Sequence, residues 1–243
     1  MTSRLRADRL VVARGLFESR ARAQEAIAAG LVTADGVVVR KPSETISVDA
    51  ALIAQPAHPW VSRGGLKLAA ALEHFGFDPA GRVCLDVGAS TGGFTDVLVT
   101  RGACRVYAVD VGHGQLHERL RAQPQVHCIE GTDIRDLNCA ALMETPDFLA
   151  IDVSFVSLQK VLPDALALVR RPAQLVALIK PQFEAGRRYL KKGIVRDEAV
   201  HREVCEAVVA TVARLDWSVS GVIPSPVHGG DGNHEFLLGA AGD

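Results

Sequence analysis

From Leu66 onward, short apolar runs alternate with longer stretches that carry an apolar residue every third or fourth position. The runs at 83–87, 105–110, 126–130, 147–153, 174–180, 217–223 and 235–239 are strand-length and rich in Val, Ile, Leu and Ala, as strands buried on both faces should be. The stretches 66–75, 93–101, 157–169 and 197–214 have helical spacing. Alternating β and α predicts a parallel sheet covered by helices on both faces. Only a loop, PSPVHGGDGNH, separates the last two runs, which predicts an antiparallel pair at one side of the sheet.

The pattern ahead of Leu66 is different. DRLVVARG is apolar on one side and stops at Gly15. Ser19 offers an N-cap to an alanine-rich helix, RARAQEAIAAG, that runs to Gly30. LVTADGVVV holds two short β-prone runs around Asp35-Gly36, a strong hairpin signal. AQPAHPWVSRGG, from Ala54 to Gly65, reads as a linker in which Trp60 and Val61 offer docking side chains. The chain is therefore expected to divide into a small α+β domain, 1–60, and an α/β domain, 61–243.

Composition narrows the class. With 48% hydrophobic and 23% charged residues, the chain suits a globular protein with a sizeable core. No apolar run approaches the roughly 18 residues of a membrane span. The polar, arginine-rich beginning has no apolar h-region, so no secretory leader is expected. Cys84, Cys104, Cys128, Cys139 and Cys205 show no CxxC spacing and read as reduced core cysteines of a cytosolic protein, not a disulfide frame or zinc site. A net charge of −1 says little about partners, but its distribution is uneven. Residues 1–63 hold nine Lys/Arg and six Asp/Glu, against 18 and 22 in 64–243. Arg20 and Arg22 open the second helix, where backbone N–H groups also point outward, a plausible phosphate platform. The same arginines would equally serve as a solvated helix face.

CLDVGASTGGFTDVLVTRG carries the most chemistry. A strand bearing Asp86 runs into a Gly/Ser/Thr loop, and a helix continues from Phe94, which predicts a nucleotide site at the carboxyl edge of the sheet. The spacing is not GxGxxG, since position 90 is serine, and it lacks the GK[ST] ending of a triphosphate loop. Gly88, Ala89, Ser90, Thr91, Gly92 and Gly93 are small enough for close backbone approach to a ligand. Asp110 ends the next strand and is placed to accept from ribose hydroxyls. Asp133, beside Ile134 in GTDIRDL, is placed for an adenine amino group. An aspartate in the loop disfavours phosphate and suits a cation, which favours S-adenosyl-L-methionine, with its sulfonium and ammonium, over NAD.

Four charges stand out, Lys67, Asp152, Lys180 and Glu235, of which Asp152 and Lys180 end strands and so meet the cleft at the carboxyl edge of the sheet. Asp152 ends the fourth strand. Lys180 ends the fifth, in LVALIKPQFEAG, where desolvating an ammonium is costly. Lys67 begins the helix before the first strand, and Glu235 starts the last strand. Taken singly, each reads as an ordinary solvated group. GRRYLKKG supplies Arg187, Arg188, Lys191 and Lys192, either to hold an RNA backbone at the cleft mouth or as a solvated loop, with Tyr189 as a stacking candidate. His113 and His117 are four apart and read as loop residues, with no metal expected.

These motifs carry a resemblance. RLRADRLVVARGLFESRARAQEAIAAGLVTADGVVVRKPS is similar to the small RNA-binding domain of ribosomal protein S-four and of pseudouridine synthases. Arg6, Arg9, Leu16, Ser19, Arg20, Ala23, Ile27, Gly30, Val32 and Gly36 fall where that domain expects them, although Arg6-Ala7-Asp8 stands where the family usually has Leu-Asp. Lys67, Asp152, Lys180 and Glu235 match in order the Lys-Asp-Lys-Glu tetrad of FtsJ-type ribose 2′-O-methyltransferases. With WVSRGGLKL, LDVGASTGGFTD, AIDVSF, IKPQFEAG and GNHEFL, nearly all 243 residues resemble the TlyA family, ribosomal RNA methyltransferases earlier labelled hemolysins.

The resemblance implies a Rossmann-like class I methyltransferase sheet of seven strands behind an RNA-binding domain. It implies S-adenosyl-L-methionine as cofactor and a cytidine 2′-hydroxyl in assembled ribosomal subunits as substrate. No metal and no membrane are implied, and the protein is expected to be a monomer. Lys180 would be the general base, Asp152 its orienting partner, and Lys67 and Glu235 supports that align the ribose. Arg6, Arg20 and Arg22 would bind RNA together with the basic residues of 187–192. A lysine serves as base only when neutral, a form that desolvation and a second nearby cation favour. Other readings are a methyltransferase of proteins or small molecules, a membrane-active hemolysin, and a ribosome-binding protein whose methylation is incidental. The tetrad and the RNA-binding front domain argue against the first, and the absence of a spanning segment against the second.

Overall fold

The structure, a computed structural model, describes residues 3–230 and 232–243. It divides into two compact units, Met1–Pro59 and Trp60–Asp243.

In the first unit, β1 (Arg4–Arg6) leads into α1 (Ala7–Ala13), and α2 (Arg20–Ala28) is capped by Ser19, whose hydroxyl accepts from Arg22 N at 3.3 Å. The hairpin β2 (Val32–Ala34) to β3 (Val37–Val38) turns at Asp35 and Gly36, both at positive φ (50° and 79°), the requirement of a tight two-residue turn. Two further strands that the apolar pattern does not announce are β4 (Thr45–Ser47) and β5 (Leu52–Ala54). They pair with β1 and β2 respectively, and each is only three residues long. Leu10, Val11, Ala23, Ile27, Val32 and Ile46 form the core.

The second unit begins with Trp60, whose ring packs where a side chain at residue 65 would be: a Cβ on Gly65 would lie 2.3 Å from Trp60 Cγ. Trp60 and Val61 thus dock on this unit's own core, and the Gly pair is what admits them. The elements that follow are α3 (Gly64–Phe75), β6 (Val83–Val87), α4 (Gly93–Thr100), β7 (Arg105–Asp110), the single turn α5 (Glu118–Arg121), β8 (Val126–Glu130), β9 (Phe148–Ile151), α6 (Leu158–Ala167), β10 (Ala173–Ile179), the short α7 (Pro181–Glu184), α8 (Glu198–Arg214), β11 (Ser218–Pro224) and β12 (Phe236–Gly242). One seven-stranded sheet runs β11-β12-β10-β9-β6-β7-β8. β6 to β10 pair in parallel, and β12 is antiparallel to both of its neighbours.

Side chains alternate across this sheet. Leu85, Tyr107, Leu149 and Leu175 face a core shared with α6 and α8, while Cys84, Val106, Phe148 and Val176 face one shared with α3 and α4. With both faces covered, every residue of β6 is buried, which is why the strands read as unbroken apolar runs. Fully burying one Leu or Ile side chain contributes about 1.5–3 kcal/mol, so a sheet buried on both sides makes a rigid frame for the residues at its edge. The chain leaves β6 toward β7 on one side, while β9 lies on the other side of β6. That reversal opens a crevice at the carboxyl ends of β6 and β9.

Candidate active site

The loop leaving β6 is shaped by positions that only glycine fills well. Gly88 has φ +84°, and a Cβ there would lie 2.4 Å from the carbonyl oxygen of Asp152, so the ends of β6 and β9 touch backbone to backbone. Gly92 has φ +96°, and a Cβ there would strike the Leu120 side chain at 2.3 Å. Between them Ser90 holds φ +47° although it carries a side chain. Two bonds fix it: its N–H donates to Asp110 Oδ2 at 2.8 Å, and its hydroxyl donates to Gln115 Oε1 at 3.1 Å. Thr91 O accepts from His117 N at 3.2 Å, Ala89 is buried, and Phe94 is buried in the core under α4.

Asp86 lies beneath this loop, fully buried. Its Oδ2 accepts from the Thr95 hydroxyl at 2.6 Å, while Oδ1 has no partner among the described residues. Burial pushes its carboxyl up to about 7, against the Thr95 hydrogen bond and with help from the charges of Asp152 and Asp110.

A cavity of about 430 Å3 opens beside the loop, lined by Gly88, Ser90, Asp110, Asp133, Ile134 and Asp152 among others. It gathers six of the residues that the sequence nominated; Asp86, Ala89, Thr91, Gly92, Gly93 and Phe94 are not on its wall. Asp110 uses each oxygen to anchor backbone, Ser90 N at 2.8 Å and Gly112 N at 2.7 Å, and each keeps a further lone pair. Asp133 caps the short turn Ile134–Asp136 and pairs with Arg135 through both oxygens, at 2.9 and 2.5 Å. That pairing holds its carboxyl down at about 2.

Sequence reasoning missed Glu130, at the end of β8. It accepts from the backbone N–H groups of Gly114, Gln115 and Leu116 at 2.7–2.9 Å and from Arg121 at 3.0 Å. The Leu116 N–H is the largest of the causes that hold its carboxyl down at about 2. Its position, one strand over from Asp110, was the available signal. His113 packs on Gly131, and His117 caps α5, its Nδ1 accepting from Arg119 N at 3.1 Å. Among the described residues no group of three or more His, Cys, Asp or Glu could hold a metal.

The four tetrad positions form two lysine–carboxylate pairs. Lys67 Nζ donates to Glu235 Oε2 at 2.5 Å, and both residues are buried. Lys180 Nζ lies 2.6 Å from Asp152 Oδ1 as an ion pair off the line of a hydrogen bond, and donates instead to Ser154 Oγ at 2.8 Å. Register brings the pairs to one edge: Ile179 pairs with Phe236, so Lys180 and Glu235 are the next residues along that ladder. Asp152 follows Ile151 at the end of β9 and also lines the cavity. Lys180 is not a solvated strand end, nor is Lys67 on α3 solvated; each is less than a tenth exposed. The loops after β9 and β10 are braced together. Glu184 accepts from the Ser157 hydroxyl at 2.6 Å and from Leu158 N at 2.5 Å, and the rings of Phe155 and Phe183 are 5.1 Å apart. Phe155 is 92% exposed and stands at φ +65° on the cavity rim, a residue that the apolar pattern did not single out.

The candidate RNA contacts fall into separate groups. In the first unit, Arg6 and Arg20 converge on fully buried Asp8, at 3.0 and 2.8 Å, and Gln24 joins them at 2.9 Å. Arg6 above all holds that carboxyl well below the usual range. Arg22 is elsewhere, donating to the carbonyl of His58 at 3.0 Å and contacting its ring. In the second unit Arg187, Arg188, Lys191 and Lys192 are all exposed. Their loop is closed by the Lys191–Ile194 bridge. Buried Asn233 pins it, accepting from Val195 N at 3.1 Å and donating to Gly193 O at 3.0 Å. Arg188 stacks 4.7 Å over the Tyr189 ring and donates to its hydroxyl at 2.8 Å.

A seven-stranded sheet with β12 reversed, a glycine loop at the switch point and a cavity beside it define a Rossmann-like class I methyltransferase domain. The sequence profile of the FtsJ-like methyltransferases matches residues 60–241, and that of the S4 domain matches residues 5–52. The 16S/23S rRNA (cytidine-2′-O)-methyltransferase TlyA of Mycobacterium tuberculosis is 44% identical over 241 residues, covering 98% of this chain and 90% of the relative. A protein named Hemolysin A from Brachyspira hyodysenteriae is 37% identical over 235 residues, covering 96% and 98%. A hemolysin-named structure from Streptococcus thermophilus superposes with TM-score 0.78 at 41% identity, covering all of this chain and 90% of that one. The chain belongs to the TlyA family of FtsJ-like methyltransferases.

Proposed function

We propose that this protein transfers the methyl group of S-adenosyl-L-methionine to a ribose 2′-hydroxyl of ribosomal RNA, with cytidine as the nucleoside. The observation that carries the reading is the two lysine–carboxylate contacts at the sheet edge beside the cavity, Lys67–Glu235, buried on both sides, and Lys180–Asp152, whose lysine is buried and whose carboxylate reaches the cavity wall. The cofactor supplies an electrophilic methyl on a cationic sulfur. The residues here suit such a group: the cavity is of ligand size, its acids are Asp110, Asp133 and Asp152, and the unpartnered Oδ1 of buried Asp86 lies below the loop. Asp110 and Asp133 would hold ribose and adenine through the lone pairs left by their backbone and Arg135 contacts. Ile134 would pack on the adenine ring.

A 2′-hydroxyl is a weak acid and needs a base in line with the sulfonium methyl. Lys180 takes that role. Asp152 holds its amine at the cavity wall, and Lys67 and Glu235 align the ribose. With its amine neutral, Lys180 would accept the 2′-hydroxyl proton during transfer and carry the resulting positive charge beside Asp152. The RNA backbone is held by Arg6 and Arg20, which Asp8 presents together, by Arg22, and by the basic loop at 187–192. The S4-domain match and the TlyA relative support ribosomal RNA as the partner, and one copy of the chain suffices for every group named. Some relatives carry hemolysin names; among the described residues no helix is long and apolar enough to cross a membrane. The protein acts in the cytoplasm in this reading. The test offers labelled S-adenosylmethionine and purified 30S and 50S particles, then maps 2′-O-methylation by reverse-transcription stops. Label at a cytidine ribose is expected, and no label in either particle overturns the reading.

A further inference from the structure

We propose that Ser154 is a positioning residue for Lys180: its hydroxyl turns the amine so that the nitrogen lone pair faces the substrate oxygen. The inference rests on the reading of Lys180 as general base and adds a residue that the tetrad does not contain. A neutral amine has two N–H groups and one lone pair. To act as a base it must spend the N–H groups on the protein and keep the lone pair for the substrate. Proximity of charge alone does not set that orientation, because an ion pair constrains distance far more than direction.

At Lys180 the two functions are divided. Asp152 Oδ1 is close, at 2.6 Å, but lies off hydrogen-bond alignment, so it fixes where the nitrogen is. Among the hydrogen bonds of the described residues, the one that Lys180 Nζ makes is to Ser154 Oγ at 2.8 Å, so it fixes which way the nitrogen points. Ser154 is held for this task. It follows Asp152 by two residues, on the cavity wall, and precedes Phe155, whose left-handed backbone turns the chain there. The loop's far end is tied by Glu184 to Ser157 and Leu158, on the segment that leaves Lys180 itself. The amine and its acceptor are therefore mounted on one braced unit. Ser154 itself is exposed, so its hydroxyl needs no protein partner on its own account.

The experiment measures single-turnover methyl transfer by full-length protein to purified ribosomal particles, for wild type, Ser154→Ala, Ser154→Thr and Lys180→Met. Equilibrium binding of S-adenosylmethionine and of the particles is measured on the same preparations. Ser154→Ala is expected to lower the transfer rate at saturating substrates about 10- to 100-fold, the scale of a misaligned catalytic group, with both affinities within about twofold of wild type. Ser154→Thr restores the acceptor and is expected to recover most of that loss. If Ser154→Ala transfers at the wild-type rate while Lys180→Met is inactive, Lys180 remains the base and Ser154 does not orient it. If Ser154→Ala loses cofactor affinity in proportion to rate, or if Ser154→Thr is as slow as alanine, the hydroxyl acts on the cavity and not through Lys180. If Lys180→Met retains wild-type transfer, the base assignment fails and this inference falls with it.

Discussion

The Lys67–Glu235 pair separates two things that a buried charge can do, hold the fold together and serve the chemistry. Both side chains are nearly excluded from water, with 10% and 3% of their surface exposed, and they meet at 2.5 Å. Lys67→Met removes one charge and leaves Glu235 buried without its partner. Removing one member of a buried pair costs about 3–5 kcal/mol, because the survivor keeps its desolvation penalty and loses the compensation. For a unit of this size each kcal/mol moves the melting temperature by roughly 2–4 °C, so the second unit's transition should fall by about 6–20 °C. The double variant Lys67→Met/Glu235→Met removes both charges and fills the space with unbranched apolar chains. Replacing a whole buried pair in that way is often neutral, so most of the lost stability should return.

Scanning calorimetry of the full-length wild type, both single variants and the double variant gives the stability cycle. Methyl transfer to ribosomal particles, measured well below each melting temperature, gives the functional one. The double variant is expected to be stable and inactive, since alignment of the ribose needs the charges themselves. A Lys67→Met variant that melts within about 2 °C of wild type, on that same scale, refutes the burial argument. A double variant no more stable than the single one refutes the pairing.

Two further outcomes follow from the cofactor loop. The folded protein keeps Asp86 protonated up to about pH 7, whereas the unfolded chain releases that proton near 3.8, so the cost of burying this acid is absent below pH 4, grows as pH rises to 7, and is constant above. The difference amounts to about 4 kcal/mol; urea denaturation at pH 4, 5.5, 7 and 8 should show it as a falling stability of wild type relative to Asp86→Asn, and a difference that does not change with pH contradicts the assignment. Gly88→Ala forces a β-carbon onto the Asp152 carbonyl in a backbone region that already costs a non-glycine residue about 1–2 kcal/mol; titration calorimetry should find S-adenosylmethionine binding abolished, and wild-type affinity would show that the β6–β9 contact does not shape the cavity.

The two kinds of information in the chain were not equally readable. The strands of the large sheet appear in the sequence within a few residues of their bounds because burial on both faces leaves a continuous apolar run. β6, β7 and β8 fall on the expected residues. The strands of the first unit were legible only where the Asp35-Gly36 turn demanded positive φ. β4 and β5 are too short for any period to show. The site divides in the same way. The resemblance assembled the four charges of the tetrad, each of which alone read as a solvated group, but not their pairing: Lys67 and Glu235 are 168 residues apart, and the ladder that sets Glu235 beside Lys180 still leaves its carboxylate to Lys67 on α3.

The arginines show why charge alone misleads. In the sequence Arg20 and Arg22 read as one phosphate platform, and the resemblance adds Arg6 to the same RNA-binding set. In the fold two of them share buried Asp8, and the third turns to His58. An arginine held by a buried carboxylate and one free in water have the same letter and the same neighbours. What distinguishes them is an acid that a helix-face pattern hides, since Asp8 sits one residue into α1 where a solvated first-turn carboxylate would also be expected. The same reasoning applies at the active site. Ser154 and Glu184 lie in AIDVSF and IKPQFEAG, yet nothing in their identity announces a role, because each acts through a partner 26 or 27 residues away. The charged groups stood out once the motifs around them were matched to a family. Chemistry that depends on the direction of a hydrogen bond became legible only when the loops after β9 and β10 were seen to close on one another.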